Sequence, residues 1–264
     1  MSEGGAWTLP LVGGAAASLL MLGLWRVERR RLDAGVVDAG WAAAIGGLAV
    51  FYAASLDGDP SRRLLLGCLG ALWAGRLTLL LRGRLGSGAE DGRYGMLRRQ
   101  WGARAGRNFF FFFQFQAGLA LVFSLPFWAG SQDPAAPGAL DALGGALWLL
   151  GVGGESLADR QLDRFRADPA NRGRTCRLGL WRYSRHPNYF FEWLHWCAYV
   201  PLTLGGPYPW AAPAAAALML YLVLNLTGIP YAEKRALASR GEEYRRYRRS
   251  TSAFIPWFPR KDMA

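Results

Sequence analysis

The residues with chemical potential crowd into Gly179–Glu192, GLWRYSRHPNYFFE, where two arginines, a histidine, two tyrosines and an asparagine precede an apolar run. Pro187 suits the first turn of a helix, and such a start leaves backbone N–H groups free to attract an anion. Arg182, Arg185 and His186 add charge-assisted donors. With Asp159, Arg160, Arg164, Arg166, Arg172, Arg174 and Arg177 upstream, the segment could hold a polyphosphate, with an adenine stacked on Tyr183 or Trp181. In the helix after Pro187, the residues Asn188, Glu192, His195 and Tyr199 recur at spacings of four, three and four, which places them on one face. A polar stripe in an apolar helix must turn to the interior of a bundle. A structural hydrogen-bond network is the alternative reading of the stripe.

Ionisable groups inside a membrane cost roughly 2.5–3.5 kcal/mol each on insertion scales, so they mark function or pairing. Four within the apolar runs are singled out: Asp38, Arg76, Glu155 and Glu192. Asp38 is the candidate acid of a pocket, with capping of its own helix as the alternative, and Glu192 is a second catalytic candidate. The chain lacks GxGxxG and GxxxxGK[ST], which excludes the usual soluble dinucleotide and P-loop solutions. It also lacks CxxC, HExxH and paired His–Cys spacing, so no metal site is expected.

The elements that must position these groups are apolar runs long enough to cross ~30 Å of hydrocarbon, which takes roughly 17 to 25 helical residues. Seven runs are read: Trp7–Trp25, Val36–Leu56, Leu64–Leu81, Phe109–Ala129, Ala139–Leu157, Tyr189–Leu204 and Trp210–Ile229. The expected fold is an all-α bundle of about seven transmembrane helices in one integral-membrane domain, residues 1–264. Charge supports that count. Of 31 Arg and Lys, 28 fall in alternate connections and the C-terminal tail, two in the other connections, and Arg76 inside a run. Basic loops stay cytoplasmic, which predicts an outside N-terminus, an inside C-terminus and a bacterial inner-membrane protein. The first run precedes its arginines instead of following them, so it reads as a retained span and not as a cleaved signal.

The long inner connections, Arg82–Asn108 and Ala158–Asn188, carry Trp, Tyr, Phe and Leu between their charges, and an ordered cytoplasmic cap is expected there. The tail, Tyr231–Arg249, is helix-compatible, with Glu242 and Glu243 preceding Arg246. Prolines end it in STSAFIPWFP. The net charge of +12 is topological and interspersed with acids, which argues against nucleic acid as a partner. Three cysteines, Cys68, Cys176 and Cys197, suggest no disulfide framework.

The run RYSRHPNYFFEW, with Glu155-x-x-x-Asp159…Arg166 upstream and SAFIPWFP at the close, resembles the DUF1295 branch of the steroid 5α-reductase superfamily. That superfamily also holds sterol C14 reductases and, more remotely, isoprenylcysteine carboxyl methyltransferases. The likeness is strongest over a C-terminal core of about residues 155–259 and extends to EDGRY at Glu90–Tyr94. It implies NADPH-dependent reduction of a carbon–carbon double bond in a lipid such as an enone steroid. By resemblance the cofactor contacts are Asp159, Arg166, Arg174, Tyr183, Asn188 and Glu192, joined by Arg93 and Tyr94; Arg185 and His186 add the donors described above. The family's carbonyl partners are a glutamate of span 2 and a tyrosine of span 3. Here span 3 has no tyrosine and span 2 offers Asp38 or Tyr52. Phe191 stands where many relatives have glycine.

Three readings remain open at this point. The first is an NADPH-dependent membrane oxidoreductase whose hydrophobic substrate comes from the bilayer. The second is an S-adenosylmethionine-dependent methyltransferase of a lipidic substrate, with Glu233 as its C-terminal acid. The third is a non-catalytic membrane scaffold in which the arginines serve topology alone.

Overall fold

The computed structural model describes residues 7–85 and 92–260. Among these the chain is nearly all helical, with a single isolated bridge, Ser184 to Ser252, in place of strands. Its helices are α1 (Thr8–Arg31), α2 (Val36–Ser55), α3 (Pro60–Arg84), α4 (Gly92–Trp101), α5 (Ala105–Gly130), α6 (Ala139–Ala167), α7 (Pro187–Cys197), α8 (Tyr199–Thr203), α9 (Ala211–Tyr221) and α10 (Ile229–Ser250). Glu90 and Asp91 of the EDGRY motif lie outside the described residues.

Five stretches are long and apolar enough to cross a membrane: Thr8–Arg31, Val36–Ser55, Pro60–Gly83, Gly92–Gly130 and Ala211–Ser250. They contain five of the seven expected runs. The expected fifth run opens α6, the longest regular helix at 29 residues, whose Asp141, Glu155 and Asp159 are buried. The expected sixth run is divided into α7 and α8 at Ala198. Pro201 has no N–H to offer the Cys197 carbonyl, and the ladder breaks there. The last run ends in a π-helical turn, Leu222–Leu226, before the charged α10 begins.

The described chain forms two compact units: Met1–Pro137 with Gly205–Ala211, and Gly138–Leu204 with Ala212–Ala264. In the first, α2 packs along α3 and α5, and α1 along α5. Close approach of α2 and α3 depends on small residues. A Cβ on Gly46 would lie 2.3 Å from that of Ala74, and one on Gly70 2.5 Å from that of Ala49. Without a hydrophobic drive between helices in lipid, this backbone proximity supplies the dispersion that holds them. Trp73, Phe109, Phe113, Phe123, Phe127 and Trp128 fill the core around it.

In the second unit α6 packs on α7 and α8. At Gly151 the two helices approach backbone to backbone, and a Cβ there would meet the His195 backbone at 2.7 Å. Three residues on, the ring of Phe191 covers Gly154 so closely that a Cβ there would lie 2.3 Å from it. The ring of Phe191 is therefore accommodated by a glycine on the facing helix.

Candidate functional site

The first unit holds the acid expected in span 2. Asp38 lies in the first turn of α2 and faces α4. Arg93 Nη2 donates to both of its oxygens, at 3.1 and 2.8 Å, and Tyr94 donates its hydroxyl proton to Oδ1 at 2.7 Å. Tyr94 is fully buried, with the Arg93 guanidinium 4.5 Å over its ring and Phe109 and Phe112 around it. The side chains of Asp38 and Arg93 each retain 28% exposure. A phenol, a carboxylate and a guanidinium thus share one hydrogen-bonded group with an open side.

Tyr52, the other span 2 candidate, has no exposed surface. Ser124 Oγ donates to the Leu121 carbonyl at 2.7 Å, which leaves the Tyr52 hydroxyl, 3.3 Å away, as donor to that oxygen. Its proton is engaged inside the bundle.

The second unit gathers Arg185, His186, Glu233 and Arg248. Arg185 Nε and Nη2 reach Glu233 Oε1 at 2.7 and 2.6 Å, and Arg248 Nε reaches Oε2 at 3.2 Å. Arg185 Nη1 donates to the carbonyls of Arg248 and Thr251. Of the donors expected to meet an anion, Arg185 is therefore engaged by a carboxylate and by the end of α10. Burial raises the Glu233 carboxyl, but hydrogen bonding and the charges of Arg185 and Arg248 outweigh it and bring the group down to about 2. His186 shifts the other way, since burial outweighs the Glu233 attraction and holds its imidazole below the usual value.

The motif segment and the chain's end form one structure. Arg185 N donates to the Ser252 carbonyl at 2.8 Å, Ser184 Oγ to that of Phe254 at 2.7 Å, and Trp257 N to that of Tyr183 at 2.9 Å. Tyr247 donates to the Trp181 carbonyl from below. Trp181 Nε1 and Leu180 N are in turn tied to Ala158 and Gln161 of α6, each at 2.9 Å. Gly179 makes the turn possible: its φ is +57°, and a Cβ there would strike the Gln161 amide. Glu243 does not join the expected ladder to Arg246; it accepts from Thr175 and Arg177 across the loop. Glu242 pairs with Arg245.

The expected stripe on α7 is only partly a unit. His195 Nε2 and the Tyr199 hydroxyl are 3.0 Å apart and fully buried. Glu192 instead accepts from Trp196 Nε1 at 3.0 Å on its own helix. Asn188 opens α7, and its Oδ1 is buried without a hydrogen-bond partner among the described residues. His186 Nε2 is likewise buried and unbonded, 3.7 Å from Glu233. Arg166 and Arg174 are exposed, Tyr183 is half-buried with Phe258 edge-on at 6.0 Å, and Asp159 is buried in α6. Arg93 and Tyr94 belong to the first unit and the other expected cofactor residues to the second.

Sequence reasoning assigned Glu233 only to the methyltransferase reading, gave Glu243 only a helical pairing with Arg246, and gave no role to Arg248. An acid directly before Lys234 and Arg235 on α10 was the signal for Glu233; of its partners Arg248 lies on the same helix and Arg185 48 residues away.

A family model described as a protein of unknown function, DUF1295, matches residues 24–251. The chain belongs to the DUF1295 family. No curated protein and no solved structure gives a significant match. The DUF1295 match covers both units, including the Asp38 group and the Arg185–Glu233 cluster.

Proposed function

We propose that this DUF1295 protein is a membrane reductase that uses NADPH to saturate a carbon–carbon double bond conjugated to a carbonyl in a hydrophobic substrate from the bilayer. The observation that carries the reading is the pair of buried polar atoms without hydrogen bonds, Asn188 Oδ1 and His186 Nε2, at the start of α7. Buried polar atoms are ordinarily satisfied, and an exception asks for a ligand. The segment is also the one that the steroid 5α-reductase resemblance gives to the cofactor.

The residues fit such a group. Asn188 offers an amide to a carboxamide, Arg166 and Arg174 are exposed cations suited to phosphates, and Tyr183 offers a ring for stacking. Bound NADPH would supply the hydride for the β-carbon. The resemblance gives the accompanying proton to an acid of span 2, for which Asp38 is the candidate. Tyr94 holds a proton against Asp38, Asp38 has an open side through which to pass it, and Arg93 stabilises the negative charge left behind. The full topology proposed is seven spans with the N-terminus outside, in a bacterial inner membrane, and the cofactor segment on the cytoplasmic side.

A second reading is favoured by one feature. Glu233 stands against Arg185 and His186, where an acid of the related methyltransferases is expected. Cofactor binding to the purified protein in detergent separates the two. NADPH is expected to bind more tightly than NADH, and Arg166→Ala or Asn188→Ala to weaken it. Binding of S-adenosylmethionine with neither nicotinamide would replace the reductase by the methyltransferase. Binding of none of them would leave a scaffold. Thermal stabilisation by each ligand gives the same order at lower protein cost.

A further inference from the structure

A cleft of ≈360 Å³ between α2 and α3 in the first unit is lined by the C-terminal part of α2, whereas Asp38 lies in its first turn, and it takes no part in the proposed reaction. Its walls are Val50, Ala54, Leu64, Gly67, Cys68 and Ala71, and Arg63 stands at its mouth in the first turn of α3. The two arginines there are neighbours with opposite surroundings. Arg62 is buried, with Nε 3.6 Å from Asp133 and bonded to the Ala135 carbonyl at 3.0 Å. Arg63 has no carboxylate within 4.0 Å among the described residues. Its Nη1 donates to the Ala53 carbonyl at 3.3 Å and to that of Leu56, and its Nε is buried with no partner. The nearby Asp59 is committed to the amides of Ser61 and Arg62 at 2.9 and 3.0 Å.

The walls lie on two helices apolar enough to span a membrane, so hydrocarbon is what meets them. The volume is at the low end of the roughly 300–1,000 Å³ typical of small-molecule sites. A packing helix, about 10 Å across, is too wide for such a space. A flexible chain fits. The guanidinium at the mouth, with no carboxylate beside it, asks for an anion, and its planar fork of donors matches phosphate oxygens.

We propose that this cleft is a binding site for an anionic glycerophospholipid, with one acyl chain lying between α2 and α3 and the phosphate on Arg63.

Cys68 provides a reporter in the unaltered protein. It is free, exposed and part of the cleft wall. The purified chain in mild detergent is treated with a maleimide, and modification of Cys68 is followed by peptide mass in the presence of phosphatidylglycerol or of phosphatidylcholine with the same acyl chains. Phosphatidylglycerol is expected to slow the reaction about fivefold more than phosphatidylcholine, the scale of one basic residue at a charged surface. Arg63→Gln removes that difference and Arg63→Lys retains part of it. Because Arg63 also binds the end of α2, Ala54→Phe gives a separate route: Ala54 is exposed, and a ring there fills the cleft with the arginine intact. Phosphatidylglycerol retained per protein after purification should fall several-fold in that variant. Equal protection by the two lipids, protection that persists in Arg63→Gln, protection by a free fatty acid alone, or unchanged retention in Ala54→Phe would each overturn the proposal.

Discussion

Asp38 and Glu233 are both carboxylates set beside arginines at ion-pair distances of 2.8 and 2.6 Å, yet they are built for different work. The Asp38 pair keeps 28% exposure on each side chain and includes the hydroxyl proton of Tyr94. In the Glu233 pair the exposures fall to 12% and 9%, a second arginine covers the other oxygen, and the remaining donors of Arg185 tie down the end of α10. A charge with an open side and a mobile proton can act on something that arrives. A charge enclosed by two cations and two carbonyls holds the chain together. Equal distance does not mean equal function; burial separates the two.

The sharpest way to break the comparison is to neutralise Glu233. Removing one partner of a buried pair costs ~3–5 kcal/mol, because the other charge is left uncompensated. Glu233→Gln should therefore lower the unfolding temperature of the purified protein markedly, and the segment around Ser252 should become open to proteolysis. Acid should do the same. The folded carboxyl lies at about 2, below its ordinary 4.5, so its stabilising effect is complete above pH 4.5 and is lost as pH falls towards 2. The stability curve of Glu233→Gln should lack that contribution to the acid limb. A variant as stable as the parent would remove the clasp from the account.

Asp38→Asn tests the other half. The pair is exposed enough that stability should change little, while reduction of an enone should slow by about a hundredfold in kcat, the lower end of what a positioned acid contributes. NADPH affinity should be unchanged. Tyr94→Phe should act in the same direction, since it removes the proton held against Asp38. A large loss of stability with normal kcat would make Asp38 another Glu233.

How much of this was legible follows the range of the interaction. Hydropathy and turn residues are local, and the expected runs Val36–Leu56 and Phe109–Ala129 correspond to helices Val36–Ser55 and Ala105–Gly130. The break at Ala198 was legible in principle from Pro201, but a hydropathy run does not register a missing N–H. Spacing placed Asn188, Glu192, His195 and Tyr199 on one face, yet it could not show that Glu192 turns to Trp196. The resemblance marked RYSRHPNYFFEW and SAFIPWFP as separate signatures. That Ser184 and Arg185 bond to Phe254 and Ser252 is a contact across about 70 residues, and no periodicity carries it. Asp38 with Tyr94 is a pairing of the same kind, across 56 residues. The space that Gly154 gives the Phe191 ring is likewise a contact between two helices that the sequence around Phe191 does not show.

Between these extremes stands Asn188. Its amide oxygen makes no hydrogen bond in the protein, so its removal should leave stability near the parent's. Binding is where it should register. Loss of one hydrogen bond worth ~0.5–1.5 kcal/mol predicts up to about tenfold weaker NADPH affinity for Asn188→Ala, measured by titration. Unchanged affinity would leave the buried oxygen without the ligand inferred for it.

A matched pair of variants, one of them with the smallest effect of all, sharpens the comparison most directly, because it alters the same kind of residue in both places. Arg93→Gln and Arg185→Gln each remove one guanidinium from one carboxylate. At Asp38 the pair is partly exposed, and exposed pairs contribute ~0.2–1 kcal/mol, so Arg93→Gln should shift unfolding by no more than that. At Glu233 the same change strips two donors from a buried oxygen and frees the carbonyls of Arg248 and Thr251. Its cost should approach that of Glu233→Gln. Added salt should narrow the Arg93 difference, since partly exposed charges are screened within ~10 Å at 0.1 M, and should leave the Arg185 difference almost unaltered. Should both variants lose the same stability, and lose it alike in salt, burial is not what separates the two sites.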